Sequence, residues 1–127
     1  GRSVAALEEL GIVVSLFIDP SLRQVKASAE SGAAFVEFHT GAYAHAFGRS
    51  AAAAERELKR LRSACTLAHR LGLGVNLGHG LTYANVGAVC ALPYVEDLNI
   101  GHNIVARACL VGMDKAVREM LRAMKGK

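Results

Sequence analysis

Residues 77–83 read Leu77-Gly78-His79-Gly80-Leu81-Thr82-Tyr83, and this segment is the most informative one in the chain. It closes an apolar run, residues 73–77, of the kind that forms a buried parallel strand. Two glycines then flank His79, and Thr82 with Asn85 predicts the start of a helix. We therefore expect His79 in the turn after the carboxyl end of a strand, where α/β proteins bind ligands. The alternative is an ordinary turn with a solvated histidine.

The same unit, an apolar strand followed by an amphipathic helix, recurs along the chain. Strands are predicted over residues 12–18, 34–39, 73–77 and 95–100. Helices are predicted over 2–10, 20–32, 51–71, 82–92 and 104–110 and after Gly112, and residues 41–50 form the longest predicted loop, a mobile cover or a plain surface loop. Right-handed crossovers make all four strands parallel.

Four parallel strands form either a small open sheet or half of an eight-stranded barrel, because four strands are too few to close one. A short extra helix follows the fourth strand, and such a helix often completes a phosphate site in barrels. The pattern therefore favours an α/β fold, the parallel-stranded (β/α)8 TIM barrel. Residues 1–127 form a single domain that carries the last four βα units, and the start at Gly1-Arg2-Ser3 suggests a fragment.

Composition excludes several classes of function. The 127 residues are 52% hydrophobic and carry a formal charge of +4, but the basic residues lie on predicted helix faces without interleaved aromatics, so nucleic-acid binding is not favoured. No apolar run approaches the roughly 20 residues that span a membrane. The three cysteines (Cys65, Cys90 and Cys109) lack C-x-x-C spacing, which predicts buried, reduced thiols in a cytoplasmic protein.

Polar residues gather at the predicted carboxyl ends of the strands. They are Asp19, Glu37, His39, Thr40, Asn76, His79, Asn99 and His102. Alternation along the second strand puts Glu37 and His39 on one face, with Phe38 opposite. A carboxylate in an apolar strand is costly unless it is paired or used, so Glu37 is a candidate functional residue, with a structural ion pair as the alternative.

Gly101-His102-Asn103 opens a predicted helix, whose free N–H groups and dipole suit a phosphate. No lysine lies at a predicted strand end, which argues against a Schiff base on the protein. Glu37, His39, His79 and His102 are conceivable metal ligands, but their spacing matches no metal signature.

Three motifs resemble the pyridoxine 5′-phosphate synthase family. They are Val36-Glu37-Phe38-His39-Thr40-Gly41-Ala42-Tyr43-Ala44, Val75-Asn76-Leu77-Gly78-His79-Gly80-Leu81-Thr82-Tyr83 and Leu98-Asn99-Ile100-Gly101-His102, the last continued by Arg107 and Ala108. Their order and spacing are kept over essentially the whole chain. The resemblance covers the C-terminal half of that family's barrel, strands five to eight.

This resemblance implies a cytoplasmic homo-octamer with no metal or organic cofactor. The family condenses 3-amino-2-oxopropyl phosphate with 1-deoxy-D-xylulose 5-phosphate to pyridoxine 5′-phosphate, phosphate and water, in vitamin B6 synthesis. By motif, His79 would be the proton donor and Glu37 would stabilise the charged transition state. Gly80, Gly101 and His102 would bind substrate phosphate.

Two other interpretations stay open. One is another phosphate-binding barrel enzyme, a sugar-phosphate isomerase or aldolase, for which the missing lysine counts against the aldolase. The other is a non-catalytic half-barrel that binds phosphate or associates with itself. The family's remaining catalytic residues lie in the half that this sequence lacks, so we expect the chain alone to be inactive.

Overall fold

A computed structural model describes residues 1–126 and shows an α/β fold built on one parallel sheet. The four strands lie in the order β1-β2-β3-β4, and all three pairings are parallel. Their bounds are β1 Ser15–Ile18, β2 Phe35–His39, β3 Gly74–Gly78 and β4 Val95–Asn99. The predicted four parallel strands are confirmed.

Helices connect and flank these strands. In chain order they are α1 Arg2–Glu8, α2 Leu22–Ser31, α3 Gly41–Phe47, α4 Ala51–Arg70, α5 Val86–Cys90, α6 His102–Val111 and α7 Met113–Met124. The longest, α4, begins where the Ser50 hydroxyl accepts a hydrogen bond from the Ala53 N–H. A hydroxyl at this position satisfies one of the unpaired N–H groups of the first turn.

The order of the strands decides where the helices lie. Consecutive strands are neighbours throughout, without the reversal that doubly wound sheets show at their switch point. Since right-handed crossovers of this kind keep returning on the same side, the helices cover one face of the sheet. The core lies on that face, where Phe38 and Leu77 are fully buried against Leu61 and Val86.

The opposite face of the sheet has no helical cover in residues 1–126. Phe17, Glu37 and Asn99 point to this side, and Phe17 is 57% exposed. The apolar run 12–18 is typical of a strand buried on both faces, and that prediction is wrong for this part of the chain, where regular pairing begins only at Ser15. The strand lies at an edge of the sheet, where only one neighbour fixes it.

Residues 41–50 do not form the predicted loop, because Gly41–Phe47 is the helix α3. Tyr43 and Ala46, three residues apart, are its buried positions. This spacing is the helical signal that the sequence analysis missed, since it is too short to stand out beside the glycines at either end.

Two predicted helix starts are displaced. The helix expected from Thr82 begins at Val86, because the Asn85 side chain accepts from the Thr82 N–H at 2.7 Å and holds residues 82–85 in a turn. The position of Asp19, just before the helix predicted from residue 20, is typical of a capping residue, but Asp19 does not cap α2. The first residue before α2 is Ser21, and Asp19 lies near His39 instead.

Of the three free thiols, only Cys65 is fully buried, and burial raises its pKa to about 12. Cys90 is half-buried and Cys109 is exposed on α6, so the prediction of three buried thiols is wrong for these two. Within the described part of the chain, no helix combines the length and the apolar character needed to cross a membrane.

A two-pronged ion pair joins the last two helices. The Arg107 guanidinium on α6 donates to both carboxylate oxygens of Glu119 on α7, at 2.8 and 3.2 Å. Two parallel hydrogen bonds of this kind fix both the distance and the relative orientation of the guanidinium and the carboxylate. These hydrogen bonds hold the pKa of Glu119 below its ordinary value of 4.5. The pair therefore ties α6, whose first residue is His102, to α7.

We expect this pair to make stability depend on pH in the acid range. Because the pKa of Glu119 is lower in the folded state, its contribution is complete above pH 4.5 and is lost as the pH falls through the folded pKa. The difference in free energy of unfolding between the parent and Glu119→Gln should shrink from pH 7 to about pH 2.5. Glu55→Gln, at an exposed pair on α4, is the control and should show a much smaller difference at either pH.

The exposed strands β1 and β4 predict self-association of the isolated chain. Both edges carry unpaired N–H and C=O groups, which pair readily with other strands. Light scattering across a dilution series should therefore show dimers or larger species. A monodisperse monomer at every concentration would contradict this expectation.

Candidate active site at the carboxyl edge of the sheet

One cavity of about 610 Å³ opens at the carboxyl ends of the strands. All five residues predicted as site residues line it: Glu37, His79, Gly80, Gly101 and His102. The remaining lining residues are Phe17, Leu81, Thr82, Asn99, Ile100 and Asn103. The carboxyl ends of all four strands and the start of α6 therefore meet at one concave surface.

Glu37 reaches across the sheet from β2 to β4. Its Oε2 accepts a hydrogen bond from Asn99 Nδ2 at 2.6 Å, and the Gly78 backbone of β3 lies between them. A Cβ on Gly78 would overlap Glu37 Oε1, so glycine is required there for the carboxylate to lie flat over the strand. The partner of Glu37 is a neutral amide, so the structural ion pair considered as an alternative is absent for this residue.

His79 occupies a backbone conformation that few side chains adopt. Its φ is +71° and that of Gly80 is +80°, so two successive residues lie in the left-handed region. For a residue with a Cβ this conformation costs about 1 kcal/mol or more, and the surrounding structure must offset it. Gly80 also packs closely, since a Cβ there would stand 3.1 Å from the Ala44 Cβ.

The buried residue Thr40 holds this turn from the neighbouring strand. Its hydroxyl lies 2.8 Å from the carbonyl oxygen of Gly78 and 2.6 Å from that of His79. Its backbone N–H also donates to the Gly78 carbonyl at 2.8 Å. One fully buried residue thus satisfies two carbonyl groups on either side of the His79 Cα.

A second support comes from α3 and the turn before α5. The Tyr43 hydroxyl donates to the Asn85 carbonyl at 2.8 Å, and Asn85 Nδ2 donates to the Gly80 carbonyl at 3.3 Å. Tyr43 and Asn85 are both buried, and burial raises the pKa of Tyr43, so its hydroxyl remains a proton donor near neutral pH. The backbone from His79 to Asn85 is therefore fixed at both ends.

Gly101 and His102 stand at the first turn of α6, as predicted. The first backbone bond of this helix runs from the Val105 N–H to the Gly101 carbonyl, which leaves the N–H groups of residues 102–104 without an intrahelical acceptor. No side chain caps this end. The N–H groups and the helix dipole therefore favour an anion beside the cavity.

Three other predicted strand-end residues lie outside the lining of the cavity. Asn76 Oδ1 accepts from the Asp97 N–H at 3.2 Å, next to an irregularity in the β3–β4 pairing, so its role is structural. His39 and Asp19 form a row beside His79. Across residues 1–126, no three His, Cys, Asp or Glu side chains come close enough to chelate a metal, so Glu37, His39, His79 and His102 do not form a metal-binding cluster.

The hydrogen bonds that hold this turn join residues far apart in the sequence, and periodicity does not reveal them. Thr40 appeared only as one polar residue at a strand end, and its partners lie 38 and 39 residues away along the chain. Tyr43 and Asn85, 42 residues apart, were not paired. The buried hydroxyl-bearing residues that follow Glu37 were the available signal, but only the register of β2 with β3 identifies their acceptors.

Comparison with known proteins identifies the family to which this chain is similar. The family model described as "Pyridoxal phosphate biosynthesis protein PdxJ" matches residues 1–126. Proteins named pyridoxine 5′-phosphate synthase are similar over nearly the whole chain. The relative from Synechocystis sp. is 56% identical over 123 residues, which are 97% of this chain and 50% of that protein.

Other relatives give the same result. Those from Geotalea daltonii and Trichodesmium erythraeum are 50% and 52% identical, over 97% and 99% of this chain and 51% and 52% of their own lengths. The chain therefore spans about half the length of the curated relatives it matches.

We expect Thr40→Val to destabilise the chain by about 1–3 kcal/mol, because the His79 carbonyl loses its hydroxyl donor while the Gly78 carbonyl keeps the Thr40 backbone N–H. Valine keeps the shape of threonine, so the loss reports the hydroxyl. Urea unfolding at fixed protein concentration measures it. The control is Thr66→Val on α4, whose hydroxyl donates to the Arg62 carbonyl at the surface and should cost no more than about 0.5 kcal/mol. Equal costs for the two variants would contradict a special role for Thr40.

Proposed function

The chain belongs to the PdxJ family, and from this we propose that it carries half of a pyridoxine 5′-phosphate synthase. The reaction is the condensation of 3-amino-2-oxopropyl phosphate with 1-deoxy-D-xylulose 5-phosphate to pyridoxine 5′-phosphate, phosphate and water, in vitamin B6 biosynthesis. The observation that carries the proposal is the single cavity lined by Glu37, His79 and the first turn of α6. We assign the reaction to the transferase class.

We propose further that the sheet is the C-terminal half of a (β/α)8 barrel. Its strands follow one another without reversal, and its helices cover one face. In a closed barrel the uncovered face, with Phe17 and Glu37, would become the interior. The relatives are twice as long as this chain, which leaves room for four more βα units.

The chemistry divides into proton transfers and charge stabilisation. The amine of the first substrate attacks the ketone of the second and forms an imine, after which water and phosphate leave and the ring closes. These steps need a group that titrates near neutral pH, and histidine is the usual one. His79 faces the cavity from a fixed turn, and we assign it the role of proton donor to the leaving group.

Glu37 suits the second task. Imine and enamine intermediates carry positive charge on nitrogen, and a fixed carboxylate beside them stabilises that charge without reorganisation. The hydrogen bond from Asn99 holds one carboxylate oxygen in place. Oε1, which lies over Gly78, remains available to the cation.

Substrate phosphate would bind at the first turn of α6. Gly101 and His102 present N–H groups there, and Gly80 lets the opposite wall approach closely. No lysine lines the cavity within the described residues, so the imine would form on the amine of the substrate. We propose no organic cofactor and no metal ion.

A sugar-phosphate isomerase remains the second candidate function. The same first turn of α6 would hold the phosphate, and Glu37 would then act as a base at carbon. We favour the synthase because the Glu37 carboxylate is held by the Asn99 amide and shares the cavity with His79, which can donate a proton. A cytoplasmic homo-octamer is proposed by family resemblance alone.

A condensation assay tests the proposal on the chain joined to the complementary half of the Synechocystis relative. Supplied with both substrates, this fusion should form product, detected by pyridinol absorbance and fluorescence. His79→Asn should lower kcat by at least about 100-fold, the usual contribution of a positioned proton donor. The chain by itself should be inactive, because half of the barrel is absent.

His45→Asn is the matched control, since His45 is exposed on α3 and does not line the cavity. It should leave kcat unchanged. Failure of a folded fusion to form product would favour the isomerase, with Glu37→Gln as the next variant. Full condensation activity from these 127 residues alone would contradict the half-barrel proposal.

A further inference from the structure

Three side chains form a row along the rim of the sheet, one from the end of each of three neighbouring strands. The His39 and His79 rings are 4.5 Å apart between centroids and inclined by 37°. Asp19 Oδ1 lies 3.8 Å from His39 Nδ1 on the far side. His79 is thus the inner end of the row, beside the cavity, and His39 lies directly behind it.

His39 is held on two further sides. The edge of the Phe17 ring meets it at 88°, with centroids 5.4 Å apart. Beneath it lies Gly41, where an added Cβ would stand 2.6 Å from His39 Cε1 and 3.0 Å from Nε2. The ring therefore fills the space over the first residue of α3, and glycine is required there to accommodate it.

The backbone contacts of the His79 turn fix its Cα but leave its ring free. Among the described residues, the hydrogen bonds of Thr40 and Asn85 go to backbone groups of the turn and not to the imidazole. His79 is itself exposed, so its two side-chain torsions need another constraint. A catalytic side chain must be held within about 0.5 Å and 10–20° of its productive geometry. The His39 ring is the packed surface available to do this.

We propose that His39 is a positioning residue, which orients the His79 ring by packing against it in a tilted arrangement. This inference rests on the proposed synthase function and deepens it by adding a residue that touches no substrate. Asp19 contributes little. Asp19 is exposed, and 3.8 Å is beyond hydrogen-bond length, so we expect Asp19→Asn to change kcat by less than about twofold.

The sharpest test leaves both histidines in the sequence. In the fusion with the complementary half, Gly41→Ala adds a methyl group where the His39 ring now lies, and the ring must shift. Alanine favours the helix more than glycine does, so α3 should not be weakened. We expect kcat to fall about tenfold, since small misplacements of a catalytic group are costly, while KM for both substrates stays within about twofold. A residue with a purely structural role would give no such fall.

Two further variants separate this packing from other effects. His39→Leu should lower kcat about tenfold, and His39→Phe, which keeps a ring, should restore it to within about threefold of the parent. In the His79→Asn background His39→Leu should cost nothing more, because residues that act as one unit are not additive. His45→Leu is the matched control and should have no effect.

Nuclear magnetic resonance on the same fusion shows whether the rings remain packed together. The His79 ring protons should shift in His39→Leu, where the ring current of His39 is lost, and not in His45→Leu. An active parent whose kcat is unchanged in both Gly41→Ala and His39→Leu would overturn the positioning role and leave the synthase proposal intact. A folded parent without activity would instead refute the synthase, while the ring shifts would still report the packing.

Discussion

The buried hydroxyl of Thr40 is the interaction on which the rest of the site depends. With the backbone N–H of the same residue it holds the carbonyl groups of Gly78 and His79, and it can do so because Thr40 directly follows β2, which is paired in register with β3. The left-handed backbone of His79 is unfavourable by itself. Hydrogen bonds from the buried residue Thr40 offset that cost. Because these bonds require the pairing of β2 with β3, the left-handed conformation of His79 depends on the folded sheet.

The second constraint is space. Parallel strands bring side chains from neighbouring positions together on one face, and a long carboxylate in the middle of such a face would collide with an ordinary neighbour. Gly78 removes that neighbour for Glu37, and Gly41 does the same for His39. Both polar side chains are thereby held flat against backbone. The two glycines act through the volume they leave open, whereas Gly80 is also needed for its conformation.

Much of this could be predicted from the sequence because it depends on periodicity. The four strands, their parallel order and the shared face of Glu37 and His39 follow from apolar runs and from alternation along a strand. Glu37, His79 and His102 are singled out by their positions at strand ends, whereas the phosphate-binding role assigned to Gly80, Gly101 and His102 comes from the family resemblance. What could not be predicted depends on contacts between distant residues or on competition for short segments. Thr40 needs the register of two strands, and α5 is shortened because Asn85 competes for its first turn. The helix α3 was missed because two buried positions are too few to reveal a period.

The two ends of the sheet differ in what they carry: the carboxyl ends of the strands form the cavity, and the amino ends do not. The cavity residues lie at the carboxyl ends of the strands, whereas the turns that lead into the amino ends, such as Gly32–Ala33, Gly72–Leu73 and Pro93–Tyr94, lie at the opposite edge. Those turns are short and lie away from the cavity, although Ala33 and Leu73 are buried. They are consequently the places at which a linker, a fluorescent label or new chain termini can be introduced with the least disturbance of the chemistry. A circularly permuted chain opened at residues 72–73 would keep the turn that carries His79 joined to its own strand.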